Sequence, residues 1–174
     1  EDKTEKHEIS VNLPSINIKN DDVENFNKEI ENTFGGKSEE ILKSSNQNTI
    51  YTVKYKAYVE NNILSLIIYS DLKQNTSAQR VIIQTFNFDL KENKKLSLED
   101  ILNSFSLNKN EVQNKINIDI QKEQKKTEDL IKLGYNVFSR DTKSEIYKVE
   151  NITEYFVYNN NIYIIFAYGN DKMT

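Results

Sequence analysis

His7 is the only histidine in the 174 residues, and it lies in a charged stretch, Glu1 to Glu8, with no partner nearby to orient it. A catalytic imidazole needs a group that fixes its tautomer and a pocket that protects it. These neighbours favour a solvated residue instead, and 1–7 is expected to be a flexible tail. The chain has no cysteine, which removes disulfides, thiolate zinc sites and cysteine nucleophiles together. Oxygen ligands for a hard cation would have to come from Asp21-Asp22, Glu99-Asp100 or Glu128-Asp129. Each is better explained as charge at a helix N-terminus or as a solvated pair. The four glycines, Gly35, Gly36, Gly134 and Gly169, form no phosphate-cradling loop, and without a credible histidine no serine triad can be assembled. Nothing selects a pair of carboxylates for glycoside hydrolysis. No catalytic residue, cofactor or metal ligand is assigned, and the chain is expected not to be an enzyme.

Tyrosine is the residue type that remains. Tyr51, Tyr55, Tyr58, Tyr69, Tyr155, Tyr158, Tyr163 and Tyr168 all fall on strand patterns, and a phenol joins a large apolar face to a polar tip, which suits protein or carbohydrate recognition. Tyrosine is also common in half-buried sheets for reasons of packing alone, and that reading is favoured for most of them. Tyr58 shares a strand face with Lys54 and Lys56, so it is expected to be exposed. These three residues form the candidate binding surface.

The elements that must carry these residues follow from period and punctuation. Glu8 to Ile18 alternates with Ile9, Val11 and Leu13 on one face, and Pro14, the only proline, argues for an edge strand or a bend. Asp21 or Asp22 can cap a helix carrying Val23, Phe26, Ile30 and Phe34, which Gly35-Gly36 should end or interrupt, and Ser38 to Lys43, with Glu39, Glu40, Ile41 and Leu42, can resume a helical turn before a polar stretch. From Thr49 the period becomes two, with Tyr51, Val53, Tyr55, Ala57 and Val59 opposed to Thr52, Lys54, Lys56 and Tyr58. Asn61-Asn62 can visit positive φ and make a tight turn into Ile63 to Ser70. A polar loop, Asp71 to Ala78, then leads to a third strand, Arg80 to Asp89, which makes an antiparallel meander. Ser97 and Asp100 read as a capping box. Asn108 and Glu111 open a further helix with Val112, Ile116 and Ile120 on one stripe, although Ile116, Ile118 and Ile120 also alternate as a strand would. Glu154 to Tyr158 and Ile162 to Tyr168 form a second hairpin around Asn159 to Asn161, its apolar last strand expected at the centre of the sheet. The expected fold is α+β: an antiparallel β-sheet meander with helices packed on one face, in a single domain over 1–174.

Bulk properties narrow the partners. Apolar residues make up 37% of the chain and cluster into short runs, as in a folded domain. A net charge of −4, a pI near 5.2 and only two arginines, Arg80 and Arg140, argue against a nucleic-acid partner. No apolar run is long enough to span a bilayer, so any membrane association is expected to run through a tether outside this chain. The start at Glu1 fits a mature product whose signal peptide or membrane anchor has been removed; a chosen boundary explains it equally. Asn75-Thr76-Ser77 and Asn151-Ile152-Thr153 match the glycosylation sequon, as chance predicts in so asparagine-rich a chain.

Several features recur in one order: Val11-Asn12-Leu13-Pro14 before the Asp22 to Phe34 helix, the Tyr51 to Asp71 hairpin, Phe86-Asn87-Phe88-Asp89-Leu90, Lys94 to Leu102, and Glu154 to Tyr158 with Ile162 to Phe166. In that order and spacing the chain resembles the extracellular domain of the RsiV-type anti-sigma factors of Gram-positive bacteria, which also precedes the catalytic domain of PdaC-type peptidoglycan deacetylases. The resemblance implies a non-catalytic cell-surface module, secreted or membrane-anchored, that in some relatives binds lysozyme. An acidic surface would steer such a basic ligand. The alternative it allows is an accessory cell-wall module beside a peptidoglycan-modifying enzyme, contacting glycan. Many relatives carry a Pro-Tyr-rich segment after the last hairpin; here Phe166-Ala167-Tyr168-Gly169-Asn170 runs into Asp171-Lys172-Met173-Thr174. That departure withdraws support for a binding role there; separately, the stop at Thr174, just beyond Gly169 and the last strand, leads to the expectation that the C-terminal end is truncated.

Overall fold

A β-hairpin organises the larger part of the chain. The computed structural model describes residues 7–44 and 48–168. Strands β2 (Thr49–Glu60) and β3 (Ile63–Gln74) pair antiparallel without a bulge from Thr49↔Gln74 to Glu60↔Ile63. Their turn is Asn61-Asn62, with φ of 48° and 67°, the left-handed pair that matches the twist of the flanking strands. Strand β4 (Arg80–Asp89) continues the meander against β3. The short strand β5 (Lys94–Lys95) closes that side, giving the order β1-β2-β3-β4-β5.

Strand β1 (His7–Val11) pairs with β2 in parallel, from His7↔Thr49 to Val11↔Val53. Two expectations change here. His7 is the first residue of a strand and not part of a free tail; residues 1–6 and the C-terminal end from 169 lie outside the described residues. The strand expected to reach Ile18 stops at Val11, three residues before Pro14, whose missing N–H could not continue a ladder.

Helix α1 (Asp21–Ile30) is capped by Asn20, whose side chain accepts from the amides of Asp22 and Val23. The helical run is interrupted before the Gly35-Gly36 pair and not ended by it, and it resumes as far as Lys43. A π-helical turn, Glu31–Gly35, leads into α2 (Gly36–Lys43), and both glycines keep right-handed helical angles. The wide turn adjusts the phase so that Phe34 and Ile41 both stay in the core with Val23, Phe26 and Ile30. These side chains cover Tyr51, Val53, Leu66, Ile68, Phe86 and Phe88 on one sheet face, with the Phe26 and Phe86 rings stacked 4.4 Å apart. Each fully buried Ile or Phe contributes about 1.5–3 kcal/mol, so this layer is the main source of stability.

By its contacts the chain divides into two compact units: Glu1–Lys95 with Phe156–Tyr163, and Leu96–Tyr155 with Ile164–Thr174. In the second, α3 (Leu98–Ser104) begins with the capping box, in which the Asp100 amide donates to Ser97 Oγ at 3.1 Å and the Ser97 amide donates back to Asp100 at 2.8 Å. Helix α4 (Lys109–Lys132) follows from its Asn108 cap. Ile116 is buried while Ile118 is 62% exposed, which is helical phase; a strand would have put both on one face. Two 3-10 turns, Glu145–Tyr147 and Val149–Asn151, are pinned by Gln113, whose amide donates to the Tyr147 carbonyl at 3.0 Å and accepts from the Val149 amide at 2.9 Å.

Strands β6 (Glu154–Tyr158) and β7 (Asn161–Ile165) form a separate two-stranded sheet. The apolar β7 is therefore not central to the five-stranded sheet, contrary to expectation. Its isoleucines are half-buried, so apolar composition reflects packing at the hairpin and not pairing on both edges. The whole is an α+β fold, mostly antiparallel, as the period of two and the helical stripes foretold.

Candidate functional site

The side chains that sequence alone nominated for chemistry are used locally. Asp21 and Asp22 occupy the first turn of α1. Asp100 belongs to the capping box, and Glu99 meets Lys109 at 3.0 Å on the surface. Glu128 accepts weakly from Gln124 at 3.3 Å, and Asp129 meets Lys132 at 3.3 Å in the last turns of α4. Among the described residues no three His, Cys, Asp or Glu side chains gather as metal ligands. Burial raises the phenols of Tyr51 and Tyr155 above the ordinary range, the Ser70 hydroxyl partly opposing this at Tyr51. The charges of Glu154 and Asp100 add to the effect at Tyr155. Neither phenol is set up to give up its proton near neutrality.

An aromatic platform is what the first unit offers instead. The even residues of β2, Lys54, Lys56 and Tyr58, lie on the sheet face away from the α1–α2 layer, because Tyr51 and Val53 point into that layer and side chains alternate. Lys54 and Lys56 are exposed there. Tyr58 is half-buried, where an exposed ring was expected: its ring lies 4.3 Å from that of Tyr158 and 6.1 Å from that of Phe156. The tip of the β6–β7 hairpin covers it.

That tip is held by three devices. A two-residue turn, Asn159-Asn160, with φ of 50° and 57°, brings Phe156 opposite Tyr163, and their rings stack at 4.7 Å and 7°. The Val157 amide donates to Ser65 Oγ at 2.9 Å, and the Ser65 hydroxyl donates to Asn87 Oδ1 at 2.6 Å, in a buried site. The Asn160 amide donates to the Glu60 carboxylate at 3.2 Å. The result leaves Tyr158 44% and Tyr163 42% exposed, each on a ring that is already fixed. Stacked pairs of this kind add about 0.5–1.5 kcal/mol beyond their buried area, so the platform is pre-ordered.

Of the nominated residues, Tyr58 thus serves as a support, and Lys54 and Lys56 flank it on the same face. Tyr158, Tyr163 and Phe156 were not singled out. The signal was present in the alternation either side of Asn159-Asn160, but a turn read as Asn159 to Asn161 hides which residues stand opposite each other.

The chain matches no known protein-family model and no curated protein. Among solved structures it is similar to a DUF3298 family protein from Pseudomonas aeruginosa PAO1, at 15% identity and a TM-score of 0.32. The likeness covers 37% of this chain and 30% of that one, and is a distant structural one.

Proposed function

We propose that this chain is a non-catalytic recognition domain of the cell surface, whose contact surface is the Tyr158–Tyr163 platform and whose ligand is a basic protein such as lysozyme. The observation that carries this reading is the pair of exposed phenol rings held in place by Phe156 and Tyr58. Rigid aromatic side chains with polar tips give large contact area at low entropic cost, which is why they dominate binding energy at protein interfaces. The net charge of −4 favours encounter with a basic partner. None of the described helices is long and apolar enough to cross a bilayer, and on this reading attachment to the cell surface runs through a tether outside this chain.

A second reading, an accessory module contacting peptidoglycan glycan, draws on the flat stack of Phe156 and Tyr163, since an exposed tyrosine ring can also pack against a sugar. Calorimetric titration with lysozyme and with soluble peptidoglycan fragments separates the two. Heat with lysozyme that falls at least about tenfold in affinity for Tyr163→Ala supports the first; a response to the fragments alone transfers the platform to glycan. Silence in both titrations ends the recognition reading.

A further inference from the structure

The tip of the β6–β7 hairpin stands on the sheet with β6 against it. A two-residue turn makes Tyr158–Asn161 and Phe156–Tyr163 the hydrogen-bonded pairs, which turns the Val157 amide away from β7. That amide donates to Ser65 Oγ on β3, the middle strand of the sheet, so β7 lies on the far side of β6. Phe156, Tyr158 and Tyr163 share one face of the hairpin, and their rings rise from the sheet as a wall. Tyr58 is at its foot, 4.3 Å from Tyr158.

Tyr58 is one of a row. Lys54, Lys56, Tyr58 and Glu60 follow one another on the same face of β2, about 7 Å apart. Glu60 is tied to the hairpin turn, its carboxylate accepting from the Asn160 amide at 3.2 Å. On the other side of Tyr58 come Lys56 and Lys54, both exposed. Neither ammonium has a hydrogen-bond or ion-pair partner among the described residues, whereas Lys37, Lys115 and Lys148 each meet a carboxylate three or four residues away. Opposite them on β3 stand Tyr69 and Ile67, which offer no charge at neutral pH. Asp71 shares this face, opposite Thr52, and accepts from Gln79 at 2.8 Å.

We infer, resting on the platform reading above, that Lys54 and Lys56 receive an acidic side chain of the protein ligand. The contact at the platform is then opposite in sign to the attraction that brings a basic protein in. A ligand seated on the ring wall covers the lysines at its foot and takes water from their ammoniums. An ammonium left unpaired there is costly, and a carboxylate brought by the ligand removes that cost. Two ammoniums on flexible stems can close on one carboxylate as point charges, without the fixed fork of an arginine. The rings by themselves accept many apolar surfaces; the lysines select among them. The net charge of −4 acts over longer range and governs encounter.

Calorimetric titration with lysozyme at one ionic strength tests this. Lys54→Gln with Lys56→Gln lowers the affinity at least about fivefold, and Lys54→Glu with Lys56→Glu lowers it further. Long-range attraction alone predicts the reverse for the second variant, because a more negative chain draws a basic protein more strongly. Lys54→Arg with Lys56→Arg keeps the affinity within about threefold. Both side chains are exposed, so all three variants keep the wild-type circular dichroism spectrum. Binding that falls with Tyr163→Ala and ignores the Gln and Glu exchanges overturns the lysine contact and leaves the platform standing. Affinity that rises in the Glu variant overturns it in favour of steering alone. No heat with lysozyme from the wild-type chain ends the platform reading for a protein, and this contact with it. A lysine-dependent response to soluble peptidoglycan fragments alone also overturns it, since the carboxylate then belongs to a glycan.

Discussion

Tyr51 carries its hydroxyl into the core and donates it to the Phe34 carbonyl at 3.1 Å. That bond ties β2 to the π-helical turn, and Tyr51→Phe is expected to cost about 1 kcal/mol in urea unfolding. The raised pKa of the same phenol gives a pH dependence whose sign is fixed. Its folded value lies above the ordinary one near 10, so the protonated phenol's contribution is complete below that pH. Above it the unfolded chain loses its proton first, and stability falls as pH rises towards the folded value. Following the unfolding midpoint from pH 8 to about 11 checks this: Tyr51→Phe should flatten the alkaline decline, and an unchanged slope would rule Tyr51 out as its source. At this scale sequence told the type of residue and not its use. Tyr51 and Tyr58 both sit in strand patterns, yet one is a core hydrogen-bond donor and the other a support under Tyr158.

Two glycines show how differently elements spend the same residue. Gly36 has helical angles, and a Cβ there would meet no neighbouring atom within 4 Å. Gly36→Ala should therefore stabilise the chain by about 0.5–1 kcal/mol, mostly by restricting the unfolded state. Gly134 has φ of 90°; its amide donates to the Ile131 carbonyl at 2.9 Å while the Tyr135 amide reaches the Leu130 carbonyl at 3.1 Å, the double bond that ends a helix on a left-handed residue. Gly134→Ala should cost about 1 kcal/mol. Thermal unfolding of the two variants reads opposite shifts, and a shared sign would refute the comparison. Ser97→Ala, which dismantles the capping box, should cost about 1 kcal/mol as well. Caps and tight turns were legible in the sequence because their energy is local. The π-helical turn was not, since what keeps Gly35-Gly36 helical is the burial of Phe34 and Ile41 on either side.

At the scale of the molecule, the tip of the β6–β7 hairpin belongs with strands almost a hundred residues earlier in the chain, and Ser65 is the link. Its hydroxyl accepts from the Val157 amide and donates to Asn87 in a buried site. Ser65→Ala should leave the Val157 amide without its partner, at a cost of about 1–3 kcal/mol. Hydrogen exchange at Val157 should accelerate while exchange in α1 stays slow. Exchange that is equally protected in the variant would show that the aromatic stack alone holds the tip.

The sequence by itself determined the hairpin at Asn61-Asn62, the capping box at Ser97, the helix from Asn108 and the mixed, mostly antiparallel fold, because side-chain period and backbone preference act over a few residues. Tertiary structure alone decided that β1 runs parallel to β2, that β7 stays out of the five-stranded sheet, and that Tyr158 and Tyr163 become a platform over Tyr58. Those outcomes depend on which distant surfaces find each other, and the strand patterns of β1, β6 and β7 are compatible with several partners until packing against Ser65, Tyr51 and Val53 selects one.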